Sequence, residues 1–223
     1  MSTPDWLHSL LDALDDHERL AASVALRPGV GARAAAVLML IGEGPRGPEI
    51  LFVERAASLR THAGQIAFPG GAADPGDADL AVTALREAQE ETGVDPTGIR
   101  ILGSLPPAHV EVSGFDVTAV VGWWQNRSPV GPADPREVAS VVVVPVADLL
   151  DPAKRVRVTH PSGYVGPAFQ VGGHLIWGLT AHLLDGLLGL AGWQADWDDT
   201  PFVTVPARYL TDRSDTSGGQ DAH

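Results

Sequence analysis

The sequence predicts a mixed α/β (α+β) fold in which helices pack on a sheet. Apolar runs of strand length, bounded by Gly and Pro, alternate with segments whose apolar residues recur at helical spacing. The elements follow the order strands, helix, strands, helix, without an internal repeat or a linker-like stretch. We therefore expect one principal domain, flanked by a short extension and a tail.

Composition excludes several classes of function. The 223 residues are 44% hydrophobic and 19% charged, which is typical of a folded domain with its own core. The absence of Cys excludes disulfides, thiol catalysis and Cys-ligated zinc. A net charge of −13 disfavours nucleic acid and anionic membranes as partners, because both are recognised through basic patches. The acidic N-terminus resembles no signal peptide, and no apolar run has spanning length, so we expect a cytoplasmic protein.

The N-terminal segment predicts an amphipathic helix over residues 4–21, with Ser2 or Thr3 as a cap. Its apolar residues recur at spacings of three and four: Trp6, Leu7, Leu10, Leu11 and Leu14. We interpret residues 1–29 as a helical extension. It could serve as a lid, as a contact in a homodimer or, as we expect, as part of the core.

Two apolar runs, 34–41 and 49–55, are separated by a Gly- and Pro-containing turn and predict a hairpin. The Gly-, Pro- and Asp-rich residues that follow predict a loop. Residues 79–92 then predict a helix, with Asp77 or Asp79 as its cap and Gly93 at its end.

The second half of the chain predicts three strands, over 99–105, 115–124 and 139–146. The segment 174–190 is apolar around much of its helical surface and predicts a second, largely buried helix. The polar residues 208–223 predict a disordered tail.

The stretch REAQEETG crowds three glutamates into one turn at the C-terminal end of the first predicted long helix. Since a helix advances about 100° per residue, Glu87 and Glu91 lie about 40° apart, and Glu90 lies about 60° to the other side of Glu87. Negative charge is unfavourable at this end of a helix, and Arg86 offsets only part of it. One interpretation is a solvated acidic face. The other is a divalent cation site, for which these oxygen ligands favour Mg²⁺ or Mn²⁺.

The loop before this helix carries FPGG (68–71), in which Gly70 and Gly71 allow close approach of the backbone to a ligand. Arg55 and Arg60 lie in the segment that leads into FPGG and are two of only 15 basic residues in the chain. They are ordinary surface charges or, together with the glycines and the acidic turn, phosphate-binding residues.

The stretch GGAADPGDADLAVTALREAQEETGV resembles the Nudix box, whose core here runs from Arg86 to Val94. Upstream, LFVERAASLRTHAGQIAFPGG is similar to the signature of the coenzyme A diphosphatase branch, with Arg60, Gly64 and 68–71 at its spacing. LPPAHVEVSGFDVTAVVG and IWGLTAHLL downstream also resemble that branch. The resemblance covers about residues 30–190, and we expect the Nudix domain to span 30–207.

The sequence departs from the general pattern at several positions. Ala78 stands where the box has an earlier glutamate, and its neighbours Asp77 and Asp79 could substitute for that carboxylate. The spacing from Gly71 to the box arginine is one residue longer than usual. Val53 replaces a hydroxyl residue of the upstream signature.

The resemblance implies an α/β/α sandwich with a mixed central sheet and metal-dependent hydrolysis of a nucleoside diphosphate derivative, with Mg²⁺ or Mn²⁺ as cofactor. It implies Glu87 and Glu91 as primary metal ligands and Glu90 as a further ligand in the catalytic set. Arg86 would orient these carboxylates, and a carbonyl of the glycine pair could complete the metal shell.

In this superfamily the general base can come from a loop outside the box, and Glu111 and Glu137 are the candidates here. Arg55 and Arg60 would meet the phosphates of the substrate, together with Gly70 and Gly71. The branch implies cleavage of coenzyme A, or an acyl derivative, to 4′-phosphopantetheine (or its acyl form) and adenosine 3′,5′-bisphosphate.

Two alternatives stay open at this point. The first is another Nudix specificity. The SQPWPFP-like segment of NADH hydrolases is absent after Val94. The region near Val110 lacks the proline that is typical of ADP-ribose hydrolases, although Pro106 and Pro107 lie close to it. A catalytically silent Nudix module that binds a nucleotide or a protein is the other. The complete glutamate set favours an enzyme.

Overall fold

The computed structural model describes residues 4–23, 26–27, 29–111, 113–194 and 197–210. Its principal sheet has eight strands. They are β1 Arg33–Gly44, β2 Gly47–Arg55, β3 Ile66–Ala67, β4 Gly70–Ala72, β5 Ile99–Ser104, β6 Ala108–Val110, β7 Phe115–Trp124 and β8 Val138–Pro145. β1 runs parallel to β7 and antiparallel to β2 and β4, so the sheet is mixed, as expected. The predicted hairpin and the three later strands are confirmed.

Helices cover both faces of this sheet, which confirms the α/β class and gives the three layers of a sandwich. They are α1 Asp5–Leu14, α2 His17–Ala22, α3 Leu80–Thr92, α4 Val146–Leu149 and α5 Gly178–Leu190. Side chains alternate between the faces along a strand. On β1, Met39 and Ile41 point into a core shared with α1 and α5, whereas Leu38 and Leu40 point into a core shared with α3. None of the helices within the described residues is long and apolar enough to cross a membrane.

The prediction of a single helix over 4–21 is wrong, because the helix is interrupted at Asp15 and Asp16. Asp16 is extended, and its carboxylate accepts hydrogen bonds from the backbone N–H groups of Glu18 and Arg19. A side chain that satisfies those donors favours a helix start over a helix interior. Leu7 and Leu10 on α1 are fully buried in the main core, as expected for core packing rather than a lid.

The helix expected over 174–190 begins later than predicted. His174–Ile176 form β11, which pairs with a neighbouring strand, and Gly178 adopts a left-handed conformation with φ of 64° where the helix begins. Helical periodicity continues through this segment, but strand pairing satisfies its backbone groups instead.

A second sheet of four strands was not predicted. Its strands β9 Arg155–Thr159, β10 Val165–Val171, β11 and β12 Phe202–Thr204 lie in the order β11–β10–β9–β12. A single 3₁₀ turn over Ala207–Tyr209 follows, so the first residues of the expected tail are ordered. Residues 211–223 of that tail lie outside the described residues, and the domain limits 30–207 stay a prediction.

The helix α3 lies close to the sheet because its inner face is small. Ala84 and Ala88 are fully buried against β1 and β7. Asp79 caps the helix by accepting a hydrogen bond from the N–H of Val82, and Gly93 ends it with φ of 68°, so both terminal predictions are confirmed. The acidic turn therefore sits at the end of a helix that is held firmly against the sheet.

Candidate active site

The FPGG loop and the acidic turn of α3 are joined directly. The N–H of Gly70 donates a hydrogen bond of 3.2 Å to the Glu91 carboxylate. The loop is itself part of the sheet, because Leu38 donates to the carbonyl of Pro69 at 2.8 Å and Gly70 pairs with Val37. The sheet therefore holds this backbone segment beside the buried end of the glutamate cluster.

Steric constraints require glycine at both positions of the FPGG pair. A Cβ at Gly71 would lie 2.5 Å from the carboxyl carbon of Glu87, and a Cβ at Gly70 would overlap the backbone carbonyl of Ala36. Either substitution would displace the glutamate or the strand. The glycine pair thus allows Glu87 to lie against the loop, a reason that the sequence pattern did not reveal.

Glu91 is the buried member of the cluster, with 9% of its surface exposed. Burial raises the pKa of Glu91 to about 7, while the Gly70 N–H and the charge of Arg55 lower it and the charges of Glu87 and Glu137 raise it. These effects show that Arg55 and Glu137 lie within electrostatic reach of Glu91. A buried carboxylate with two anionic neighbours is a favourable position for a cation.

Arg86 connects the members of the cluster. Its Nη1 donates to Glu87 at 2.8 Å and to Glu90 at 3.1 Å. Its Nε and Nη2 donate to the two carboxylate oxygens of Asp77 at 3.2 and 3.0 Å, and Nη2 also donates to the carbonyl of Ala72. The expected orienting contacts of Arg86 to Glu87 and Glu90 are therefore present.

The donor set fits a hard divalent cation. The cluster offers carboxylate oxygens only, and a cation would offset the repulsion around Glu91. Glu87 and Glu91 are the residues that would hold it, with Glu90, which is 59% exposed, on the solvent side. Within the part of the chain that the structure describes, no group of three or more His, Asp or Glu side chains is arranged to hold a metal ion. Without a cation, the Glu87 and Glu90 carboxylates accept hydrogen bonds from Arg86.

The two candidate arginines lie at the end of β2 and in the loop that follows it, and they differ in burial. Arg55 ends β2, is half-buried, and has a buried Nε without a hydrogen-bond partner among the described residues. Arg60 is exposed. The loop closes on Arg55, whose carbonyl accepts from Gly64 and whose N–H donates to Gln65, each at 3.0 Å. Gly64 has φ of 68°, which explains the glycine four residues after Arg60.

The structure separates the two candidates for the general base. Glu137 is exposed just before β8, its carbonyl accepts from the N–H of Ala56, and its charge acts on Glu91. Glu111 is 63% exposed and forms an ion pair with Arg27 beyond β6. Of the two candidates, Glu137 is the one whose charge raises the pKa of Glu91.

Asp77 is a site residue whose role was missed. The sequence identified it as a possible cap or a substitute carboxylate, whereas the structure pairs it with Arg86. Its position beside Ala78, where the box usually has a glutamate, was the available signal.

Comparison with known proteins places the chain in a sequence family. The model of the NUDIX domain matches residues 31–162. A Cronobacter sakazakii protein described as an uncharacterized Nudix hydrolase, NudL, is 47% identical over 124 residues, covering 56% of this chain and 63% of the relative. The Salmonella newport protein of the same description is 40% identical over 159 residues, covering 68% of this chain and 79% of the relative.

Among solved structures, a Nudix hydrolase from Nitrosomonas europaea matches with a TM-score of 0.47 at 11% identity, covering 80% of each chain. RenU, a Nudix hydrolase from M. smegmatis, matches with a TM-score of 0.45 at 23% identity, covering 53% of this chain and 74% of RenU.

Proposed function

The chain belongs to the NUDIX domain family, and we propose that it hydrolyses the diphosphate bond of coenzyme A and its derivatives with Mg²⁺ or Mn²⁺. The products would be 4′-phosphopantetheine, or its acyl form, and adenosine 3′,5′-bisphosphate. The observation that carries this proposal is the hydrogen bond from Gly70 to Glu91, which joins the FPGG loop to the acidic turn. Through it, the segment that resembles the coenzyme A signature and the segment that resembles the hydrolytic box form one site.

Glu87 and Glu91 would hold the cation, with Glu90 as a further ligand. When bound, the cation would stabilise negative charge on the phosphoryl oxygens and lower the pKa of a water molecule. Arg86 keeps Glu87 and Glu90 on one side of its guanidinium, so the carboxylates stay close despite their repulsion. Their preorganisation limits the reorganisation that the reaction would require.

Glu137 is our candidate for the group that orients or deprotonates the attacking water. It is exposed, forms no ion pair with the described residues, and lies within electrostatic reach of Glu91. Glu111 is the weaker candidate, because an ion pair with Arg27 occupies its carboxylate.

Arg55 and Arg60 would bind the anionic part of the substrate. The charge of the half-buried Arg55 acts on Glu91, so Arg55 would meet a phosphate beside the carboxylates, and the exposed Arg60 can reach a more distant phosphate. A coenzyme A molecule carries both a diphosphate and a separate 3′-phosphate, which suits two arginines at different depths. A cytoplasmic location and a homodimer remain predictions.

The test is a panel of diphosphates assayed in Mg²⁺ and in Mn²⁺: coenzyme A, ADP-ribose, NADH and diadenosine polyphosphates. Product chromatography should detect 4′-phosphopantetheine and adenosine 3′,5′-bisphosphate from coenzyme A, with the highest kcat/KM in the panel. A strong preference for ADP-ribose would overturn the substrate assignment. No turnover on any of these substrates would favour a catalytically silent binding module.

A further inference from the structure

The side chain of Asp77 is a polar group at the edge of the site that contacts neither the FPGG loop nor the glutamates directly. It is only 7% exposed, and its two oxygens accept four hydrogen bonds. Two come from Arg86, one from the hydroxyl of Thr83 at 2.9 Å, and one from the N–H of Asp74 at 3.0 Å. A carboxylate that is satisfied on both oxygens has one well-defined orientation.

The surrounding chain holds this carboxylate in place. The sequence DPGD forms a turn in which the N–H of Asp77 donates to the carbonyl of Asp74 at 3.0 Å. Thr83 is fully buried in the first turns of α3, so its hydroxyl is held by the helix. Asp79, not Asp77, caps that helix, which leaves the Asp77 carboxylate free for Arg86.

Asp77 and the glutamates use opposite sides of the same guanidinium. The Asp77 carboxylate accepts hydrogen bonds from Nε and Nη2 in a two-point (bidentate) pair. Nη1 donates to Glu87 and Glu90. A two-point pair sets the plane of a guanidinium as well as its position. The direction in which Nη1 points therefore depends on Asp77.

We propose that Asp77 is a positioning residue of the candidate active site, which fixes the Arg86 guanidinium so that Glu87 and Glu90 are held in place for a divalent cation. This inference rests on the proposed function in one respect, the binding of a cation by the acidic turn. Ala78 carries no carboxylate at the position where the box has a glutamate, and its neighbour Asp77 forms this pair with Arg86. The strong lowering of the Asp77 pKa, mainly by its hydrogen bonds from Arg86, agrees with this pairing.

The experiment measures Mn²⁺ affinity by the electron paramagnetic resonance signal of free Mn²⁺, together with kcat and KM for coenzyme A. Outer-shell substitutions typically weaken metal affinity about 10–100-fold, so Asp77→Asn should raise the Kd for Mn²⁺ by at least about 10-fold. Excess Mn²⁺ should restore much of kcat with little change in KM. Thr83→Val, which removes one of the four hydrogen bonds, should give a smaller shift in the same direction.

Asp74→Asn is the matched control. Asp74 is 67% exposed and lies 3.8 Å from Arg86, so it has the same charge and a similar place in the loop but no two-point pair. Its Mn²⁺ affinity should stay within about twofold of the wild type, as for a weak exposed ion pair. Helical circular dichroism should be unchanged in both variants, because the Asp79 cap remains.

A double-mutant cycle with Arg86→Lys tests whether Asp77 acts through Arg86. Lysine cannot form the two-point pair, so Asp77→Asn should have little further effect on Mn²⁺ affinity in that background. Equal Mn²⁺ affinities of Asp77→Asn and Asp74→Asn, or a full Asp77→Asn effect in the Arg86→Lys protein, would overturn the inference. If the wild-type protein binds Mn²⁺ but does not cleave coenzyme A, the substrate assignment fails, and the same Mn²⁺ comparison still decides the role of Asp77.

Discussion

Replacing Glu91 with Gln tests the central physical claim about the acidic turn, namely that its buried carboxylate is unfavourable without a cation. Burial raises the pKa of Glu91 from 4.5 to about 7. At a pH well above 7 this shift corresponds to about 3 kcal/mol of lost folding free energy for the metal-free protein. Glutamine keeps an oxygen that can accept the hydrogen bond from Gly70 but carries no charge.

The direction of the pKa shift determines how the stability difference between the wild type and Glu91→Gln changes with pH. Below pH 4.5 the Glu91 carboxyl is protonated in both the folded and the unfolded state, so it contributes no difference. Between pH 4.5 and about 7 the unfolded state ionises first, and the stability of the folded wild type falls as the pH rises. The gain in the metal-free free energy of unfolding from Glu91→Gln should therefore be small at pH 4.5 and approach its full size above pH 7. For a domain of this size that corresponds to roughly 6–12 °C in Tm.

The assay is urea unfolding in EDTA at pH 5 and at pH 8, followed by the same measurement with Mn²⁺. Mn²⁺ should stabilise the wild type by mass action and Glu91→Gln much less, and the variant should lose most turnover. Glu90→Gln, on the exposed side of the same turn, is the control and should change the metal-free stability by less than about 1 kcal/mol. A Glu91→Gln protein that is less stable at pH 8 than the wild type in EDTA would refute the reasoning about buried charge. Near-normal activity would refute the metal-ligand assignment.

Three further perturbations probe other parts of the molecule. Gly71→Ala should reduce turnover and Mn²⁺ affinity with little change in fold, because the added methyl group meets the Glu87 carboxylate; wild-type Mn²⁺ affinity would contradict this. Arg60→Ala should raise KM for coenzyme A about 10-fold with kcat nearly unchanged if it binds a distant phosphate, whereas Arg100→Ala, an exposed arginine on β5, should behave as the wild type. Leu10→Ala should lower the free energy of unfolding by about 2–5 kcal/mol, since Leu10 is fully buried in the main core. A change below about 1 kcal/mol would show that α1 is not part of the cooperative fold.

Local patterns were sufficient for most elements around the site. The hairpin β1–β2, the helix α3 and its two ends followed from hydrophobic periodicity, the Asp79 cap and Gly93. Periodicity failed at His174–Ile176, because an apolar run reads equally well as helix or strand until a partner strand is known. The second sheet was missed for a related reason. Its strands are short, and its parallel pair β9–β12 joins residues 45 positions apart.

The sequence by itself determined that Glu87, Glu90 and Glu91 share one turn at the end of a helix, because helical geometry relates residues three and four positions apart without reference to the rest of the chain. Only the tertiary structure decided that Glu91 is the buried one, that Glu137 rather than Glu111 approaches it, and that Asp77 holds Arg86. Each of these depends on how the loops that end β2 and precede α3 and β8 are arranged around the sheet. Burial and charge–charge distance are properties of that arrangement, and a linear pattern of residues does not contain them.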